Sequence, residues 1–262
     1  KKKVAEGYSL MAFPEGTRST TNKIRRFHKG AFFLAEKLEL DIIPVLIHGN
    51  SEVLPKGSFI IRDGSITVKI LKRIDSEDMS YGKTDRERTK LIGTYFRKEF
   101  ETMRSEIENE TYFHDLVKLD YRYKGDTLYQ SVKKNLKENS DIYKTFLKTL
   151  NKRSSILNLT GGEGEFDLLL LLDGPDRKIC TYIKDELTRS IVENSFITKH
   201  YNRITFASSR EEALNFDADA IIIDASEVNE FRRMKIEKNI LLGFEIACQN
   251  HNLVIFKKKG NT

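Results

Sequence analysis

The sequence predicts an α/β protein built as two successive units. Three observations carry that prediction. Short β-branched runs of strand length, at residues 42–47, 66–71, 155–159, 178–183, 218–224 and 253–256, alternate with longer stretches of helical periodicity. Two apolar runs, 8–13 and 155–159, feed glycine turns and then helical patterns, an arrangement that lets the backbone approach a bound group closely. Charge is uneven: residues 1–125 hold 24 Lys and Arg against 19 Asp and Glu, and the remainder hold 21 against 20.

A chain of 262 residues with 39% hydrophobic and 32% charged side chains accommodates two modest domains with a charged surface. The first thirty residues hold eight cations and two acids, which alone accounts for the net charge of +6. Such a start suits anionic substrates or an anionic membrane surface. No aromatic-and-basic nucleic-acid signature accompanies it, so nucleic acid is not expected as a partner. Cys180 and Cys248 fall in an expected strand and an expected helix, with neither disulfide-framework nor zinc-site spacing, which points to a reducing compartment and no metal. No apolar run approaches eighteen residues, so no membrane span is expected within these residues.

The run at 8–13 reads as a strand ending at Phe13-Pro14-Glu15-Gly16-Thr17-Arg18-Ser19. No acid occurs from Gly16 to Gly30, whereas Arg18, Lys23, Arg25, Arg26 and Lys29 do. Glycine backbone beside arginine forks suits a phosphate, and a solvated basic loop is the plainer alternative. Residues 30–40 read as an amphipathic helix and 42–47 as a buried strand. Residues 59–61 and 66–71 read as a β-hairpin about Asp63-Gly64. Residues 85–108 form a long charged helix with Leu91, Ile92, Tyr95, Phe96 and Phe100 as its apolar stripe. Residues 109–125 are aromatic and mixed in charge without clear periodicity, so the junction falls there: a first domain at 1–110, a junction at 111–125 and a second domain at 126–262.

The second unit opens with Asn158-Leu159-Thr160-Gly161-Gly162-Glu163-Gly164 between a strand and a helix at 165–172. The dinucleotide fingerprint G-x-G-x-x-G is not met, because after Gly162 and Gly164 the third position is Asp167. Residues 231–250 are expected to contain a helix, and 253–256 a fifth strand that leaves no room for a closing antiparallel hairpin. His48 could reach a site near residue 44, although a lone loop histidine is more often a structural hydrogen-bonding residue. Asp224 ends a strand, where a cap or turn role is the ordinary one.

The block at 13–19 resembles the phosphate-binding block of the glycerolipid (lysophosphatidic acid) acyltransferases. Phe27-His28-Lys29-Gly30-Ala31 is similar to that family's F-K-x-G-A, and Ile42-Ile43-Pro44-Val45-Leu46-Ile47 to its last apolar block. The resemblance implies that Glu15, Gly16, Thr17, Arg18 and Lys29 hold the acceptor's phosphate and that Pro44 shapes the pocket edge. It implies acyl transfer from acyl-coenzyme A or acyl carrier protein to a lysophospholipid such as 1-acylglycerol 3-phosphate, without a cofactor. The family's N-H-x-x-x-x-D dyad, its general base, is expected upstream of Lys1. Five residues after His28, His48, His114, His200 and His251 stand Phe33, Val53, Leu119, Thr205 and Phe256. The chain as it stands is therefore expected to bind rather than catalyse.

The second glycine loop resembles the S-adenosylmethionine loop D-x-G-x-G-x-G of class I methyltransferases, a Rossmann-like fold. Asn158 takes the aspartate's place and Thr160 the first glycine's, while Gly162 and Gly164 are retained. Where that family places a ribose-binding acid, Ile183 stands here, with Asp185 and Glu186 beyond. Unpaired ribose hydroxyls would cost about 1–3 kcal/mol, so a degenerate domain is expected. Tyr123-Lys124-Gly125 resembles the junction of bacterial fusion proteins that join an MMPL-type transporter, an acyltransferase and a methyltransferase-like domain. That likeness implies upstream transporter and acyltransferase segments of the same polypeptide, and a place on the cytoplasmic face of the inner membrane. Two rival readings remain: a methyltransferase, or a non-catalytic module that docks on anionic lipid.

Overall fold

The computed structural model describes residues 2–19, 23–229, 244–249 and 253–259. Its contacts divide the chain into two compact units, Lys1–Asn109 and Glu110–Thr262.

The first unit contains α1 (Lys2–Ala5), α2 (Gly30–Lys37), β1 (Val45–His48), α3 (Asn50–Val53), β2 (Thr67–Ile70) and α4 (Asp85–Ile107). Helix α4 starts where Thr84 accepts a hydrogen bond from the Glu87 N–H, while the Glu87 carboxylate reaches back to the Lys83 N–H. Its Ile92, Phe96, Phe100 and Met103 recur at helical spacing and face the unit's two apolar clusters. In one of these, Phe27 stacks on Phe32 at 5.9 Å and meets Phe96 edge-on at 5.1 Å.

Three expected elements of this unit fold differently. Residues 42–47 do not form a uniformly buried strand. Only Val45–His48 is a strand, and its burial alternates, because α4 covers one face. Residues 59–61 do not pair with 66–71. Instead β2 pairs antiparallel with β1 in the register Val45↔Ile70 to His48↔Thr67, extended by a bridge between Ile42 and Ile74. The physical reason is that β1 carries Leu46 and His48 into the core and its backbone needs a ladder partner, so the longer-range pairing wins over the local hairpin. Residues 8–13 are irregular and largely exposed, not a strand.

The second unit begins with three helices, α5 (Glu110–Tyr121), α6 (Asp126–Glu138) and α7 (Ser140–Thr149). The stretch read as aperiodic is thus helical: Phe113, Val117 and Tyr121 sit at i, i+4 and i+8 and are buried together. There follow β3 (Ser155–Asn158), α8 (Glu165–Asp173), β4 (Lys178–Thr181), α9 (Glu186–Glu193), α10 (Phe196–Tyr201), β5 (Ile204–Phe206), α11 (Arg210–Ala213), β6 (Ala220–Asp224), β7 (Phe244–Gln249) and β8 (Leu253–Lys258). The sheet order is β5-β4-β3-β6-β8-β7. Strands β5, β4, β3 and β6 are parallel, and β8 runs antiparallel to both β6 and β7.

This is a Rossmann-like α/β sheet covered on both faces. Ile156, Ile179, Ile222 and Ile255 face α5–α8, while Leu157, Cys180, Ile221 and Val254 face the opposite cluster with Ala213 and Leu214. Helix α8 is buried throughout its Phe166–Leu172 stretch, as an all-round apolar helix must be. The expectation at the C-terminus needs correction: residues 244–249 are strand, not helix, and Cys248 lies in it. The closing antiparallel hairpin, for which the sequence leaves no expected room, is β7–β8 itself. The rest of the stretch expected to contain a helix, at 231–243 and 250, lies outside the described residues.

Candidate functional site

The basic loop of the first unit is a turn closed by Gly16 N–H donating to the Phe13 carbonyl at 3.0 Å, with Gly16 at φ +70°. Two bonds pin this turn to the segment leading into α2. The His28 N–H donates to the Pro14 carbonyl at 2.7 Å, and the Arg25 N–H donates to Glu15 Oε2 at 2.8 Å. Gly16 is so close to the His28 ring that a Cβ there would meet Cδ2 at 3.1 Å. The positive φ favours glycine there, and a Cβ would also have to push the exposed His28 ring aside by a few tenths of an ångström.

Glu15 and Gly16 are thereby brought beside His28, two residues before α2 begins. Lys29 is the N-cap of that helix, whose first turn carries no acid and whose N-cap makes no side-chain bond. Unpaired N–H groups and positive dipole at such an end favour an anion. Arg18 Nη1 donates to the Leu54 and Pro55 carbonyls at 3.0 and 3.1 Å, just past α3. Thr17 is exposed, and Pro44 is buried ahead of β1 with its carbonyl accepting from the Leu71 N–H at 2.9 Å. His28 is the contact that residue patterns missed. It stands where the resembled motif has lysine, and only the fold shows its ring against Gly16.

His48 is 2% exposed and pairs through Nε2 with Glu108 Oε1 at 2.9 Å. Arg104 clamps the same carboxylate through Nε and Nη2 at 2.8 and 2.7 Å. Burial alone would raise the Glu108 pKa, but the bonds from His48 and Arg104 hold it below the ordinary glutamate value. This network fastens β1 to the end of α4.

The second loop lies at the carboxyl end of β3, where the sheet order reverses between β3 and β6, the usual ligand position in such sheets. Asn158 is buried, with Nδ2 donating to Asp167 Oδ1 at 2.8 Å and Oδ1 accepting from Thr160 N–H and Oγ at 3.2 and 2.9 Å. Asp167 Oδ2 accepts from Thr181 Oγ at 3.0 Å. Burial pushes Asp167 up to about 7 despite those two hydrogen bonds. Gly162 and Gly164 take φ of +71° and +80°, and a Cβ at Gly164 would strike Val192 Cγ2 at 2.4 Å.

Helices α5–α7 hold the loop from behind. Tyr121 donates to the Glu163 carbonyl, Ser131 to the Glu163 carboxylate at 3.0 Å, and Tyr143 to buried Glu165 at 3.0 Å. Asp185 is exposed and caps α9, accepting from the Thr188 N–H at 2.7 Å, and these bonds depress its pKa. Ile183 is in the core. Asp224, half-buried at the end of β6, is raised to about 6 by burial and by neighbouring Glu227. Among the described residues no group of three or more His, Cys, Asp or Glu is placed to hold a metal.

The sequence of the basic-loop region matches the model of the family described as Acyltransferase, over residues 1–48. A 1-acyl-sn-glycerol-3-phosphate acyltransferase of Limnanthes douglasii is 40% identical over 77 residues, 29% of this chain and 27% of that protein. One from Saccharomyces cerevisiae is 36% identical over 77 residues, 29% and 25% of the two chains. The human beta enzyme is 30% identical over 77 residues, 29% and 28%. The chain thus spans about a quarter of the length of the curated acyltransferases it matches.

Among solved structures, a 16S rRNA methylase, RmtB, aligns at TM-score 0.34 and 13% identity, covering 63% of this chain and 83% of its own. A precorrin-6y C5,15-methyltransferase of Geobacter metallireducens aligns at TM-score 0.33 and 11% identity, covering 45% and 87%. The fold of the second unit rests on its own strand order, described above. No helix among the described residues is long and apolar enough to cross a membrane.

Proposed function

We propose that this chain supplies the acceptor-phosphate site of a glycerolipid acyltransferase. The reaction is transfer of an acyl group from an acyl thioester, on coenzyme A or acyl carrier protein, to the free hydroxyl of a lysophospholipid such as 1-acylglycerol 3-phosphate. The acceptor oxygen attacks the thioester carbonyl, the new C–O bond forms as the C–S bond breaks, and the hydroxyl proton passes by way of a general base to the departing thiolate. That base belongs to an N-H-x-x-x-x-D block outside this chain. No cofactor is needed.

The observation that carries this reading is the Pro14–Gly16 turn pinned against His28 at the start of α2, inside the segment that matches the acyltransferase family. In this scheme Arg18 and Lys29 neutralise the acceptor phosphate, Gly16 and Thr17 bring backbone to it, Glu15 fixes the loop through Arg25, and Pro44 shapes the pocket edge. The second unit acts as a methyltransferase-type domain that no longer uses its cofactor, with Asn158 and Asp185 engaged in structural bonds. The two units, divided after Asn109, would lie on the cytoplasmic face of the inner membrane. In the full-length enzyme, Arg18→Ala removes a charge-assisted phosphate contact of about 1.5–3 kcal/mol, so acceptor KM should rise roughly ten- to a hundredfold at similar kcat. Unchanged acceptor KM would sink the role of Arg18.

A further inference from the structure

Of the twenty large apolar side chains exposed among the described residues, seventeen lie in the first unit. The second unit, although larger, exposes three among its described residues. The first unit's excess is ordered. Val45 on β1 stands opposite Ile70 on β2, and Ile47 opposite Val68, so all four share the sheet face turned away from α4. Ile70 is 70% exposed and Phe59, in the loop before β2, 97%. A contiguous apolar sheet face of this kind marks a surface meant to be covered. A two-stranded sheet is also too small to stand alone.

We propose that this face is the seam for the remainder of an acyltransferase domain, the part that the curated relatives carry outside the matched 77 residues, about three quarters of their length. The inference rests on the acyltransferase reading given above. Two observations favour a protein occupant over a lipid surface. The face belongs to a two-stranded ladder, and among the described residues no third strand pairs with either of its edges. The apolar run at residues 8–13 is irregular, and among the described residues Ser9 to Phe13 donate no backbone hydrogen bond. A bilayer supplies no partners for such groups, whereas neighbouring strands do.

The test compares this chain with the full polypeptide of the reading frame that encodes it. Single cysteines, Val68→Cys and Ile70→Cys in a Cys248→Ser background, are labelled by a maleimide in buffer without detergent or lipid. Labelling should be at least about tenfold slower in the full polypeptide than in the isolated chain. Equal rates would overturn the seam. So would protection that appears in the isolated chain and grows with its concentration, which denotes a second copy, or protection that needs phosphatidylglycerol vesicles. A frame without further acyltransferase sequence would remove the occupant and overturn it as well. Acyl transfer is assayed in parallel: protection without activity defeats the functional reading alone, and activity with fast labelling defeats the seam alone.

Discussion

Asp167 offers the sharpest test of the second unit. Its carboxyl is fully buried on α8, and burial lifts its pKa from 3.8 to about 7. A group whose folded pKa is raised contributes stability below its unfolded pKa, and that contribution is lost as pH rises through the folded value. The window here is therefore about pH 4 to 7. Linkage with those two values gives a loss of about 2.5 kcal/mol between pH 5 and pH 8. Asp167→Asn removes the titration and keeps the geometry: the new carboxamide can still accept from Asn158 Nδ2 and can donate to Thr181 Oγ. The variant should thus gain about 2–3 kcal/mol on wild type when pH rises from 5 to 8. Glu165, also raised by burial, is present in both proteins and largely cancels from the comparison. The chain has no tryptophan, so urea unfolding is best read by a brief deuterium pulse on the β3 and β6 peptides at each pH. A wild-type-minus-variant difference that is the same at pH 5 and pH 8 would refute the reasoning.

Gly164→Ala must place a Cβ at φ +80° and against Val192, which together should lower stability by about 2–4 kcal/mol in urea unfolding. Adding Val192→Ala should restore only the steric part. Glu108→Gln weakens a buried network and should destabilise the first unit by about 1–3 kcal/mol at pH 7. Because Glu108 has a depressed pKa, that deficit should fade as pH falls below the ordinary glutamate range, which thermal unfolding at pH 7 and pH 3 would check. Calorimetric titration with S-adenosylmethionine should show no micromolar binding, since Asp185 caps α9 and Ile183 is core. Micromolar affinity would restore a cofactor role to the glycine loop.

How far the sequence led depends on whether a signal was local. The strand, glycine turn and helix from β3 to α8 were legible because each rests on neighbours in sequence: β-branched residues, glycines at positive φ, then an apolar helix. The partner of β2 was not, because pairing with β1 is decided by what Leu46 and His48 bury. The helical stripe Phe113, Val117 and Tyr121 was hidden by the charged and aromatic residues between. Strand β7 was read as helix because it lies at the end of the longer stretch at 231–250 expected to contain one, and its six residues, with Glu245 and Gln249 among them, carry too few turns to fix a period of their own.

The same division holds at the sites. The turn at Gly16 was readable, but the ring of His28 that crowds it comes from twelve residues away. At the second loop the mismatch with the dinucleotide fingerprint was readable too: Asp167 stands where a third glycine would allow the helix to pack closely on the strand. What replaces that glycine is a carboxyl that fills the space and bonds Asn158 on β3 and Thr181 on β4. Asn158 in turn holds Thr160 at the start of the loop. The polar atoms at the foot of this loop are therefore spent on one another, which keeps the turn's shape without a ligand. The same bonds tie β3, β4 and α8 together at the point where the sheet order reverses.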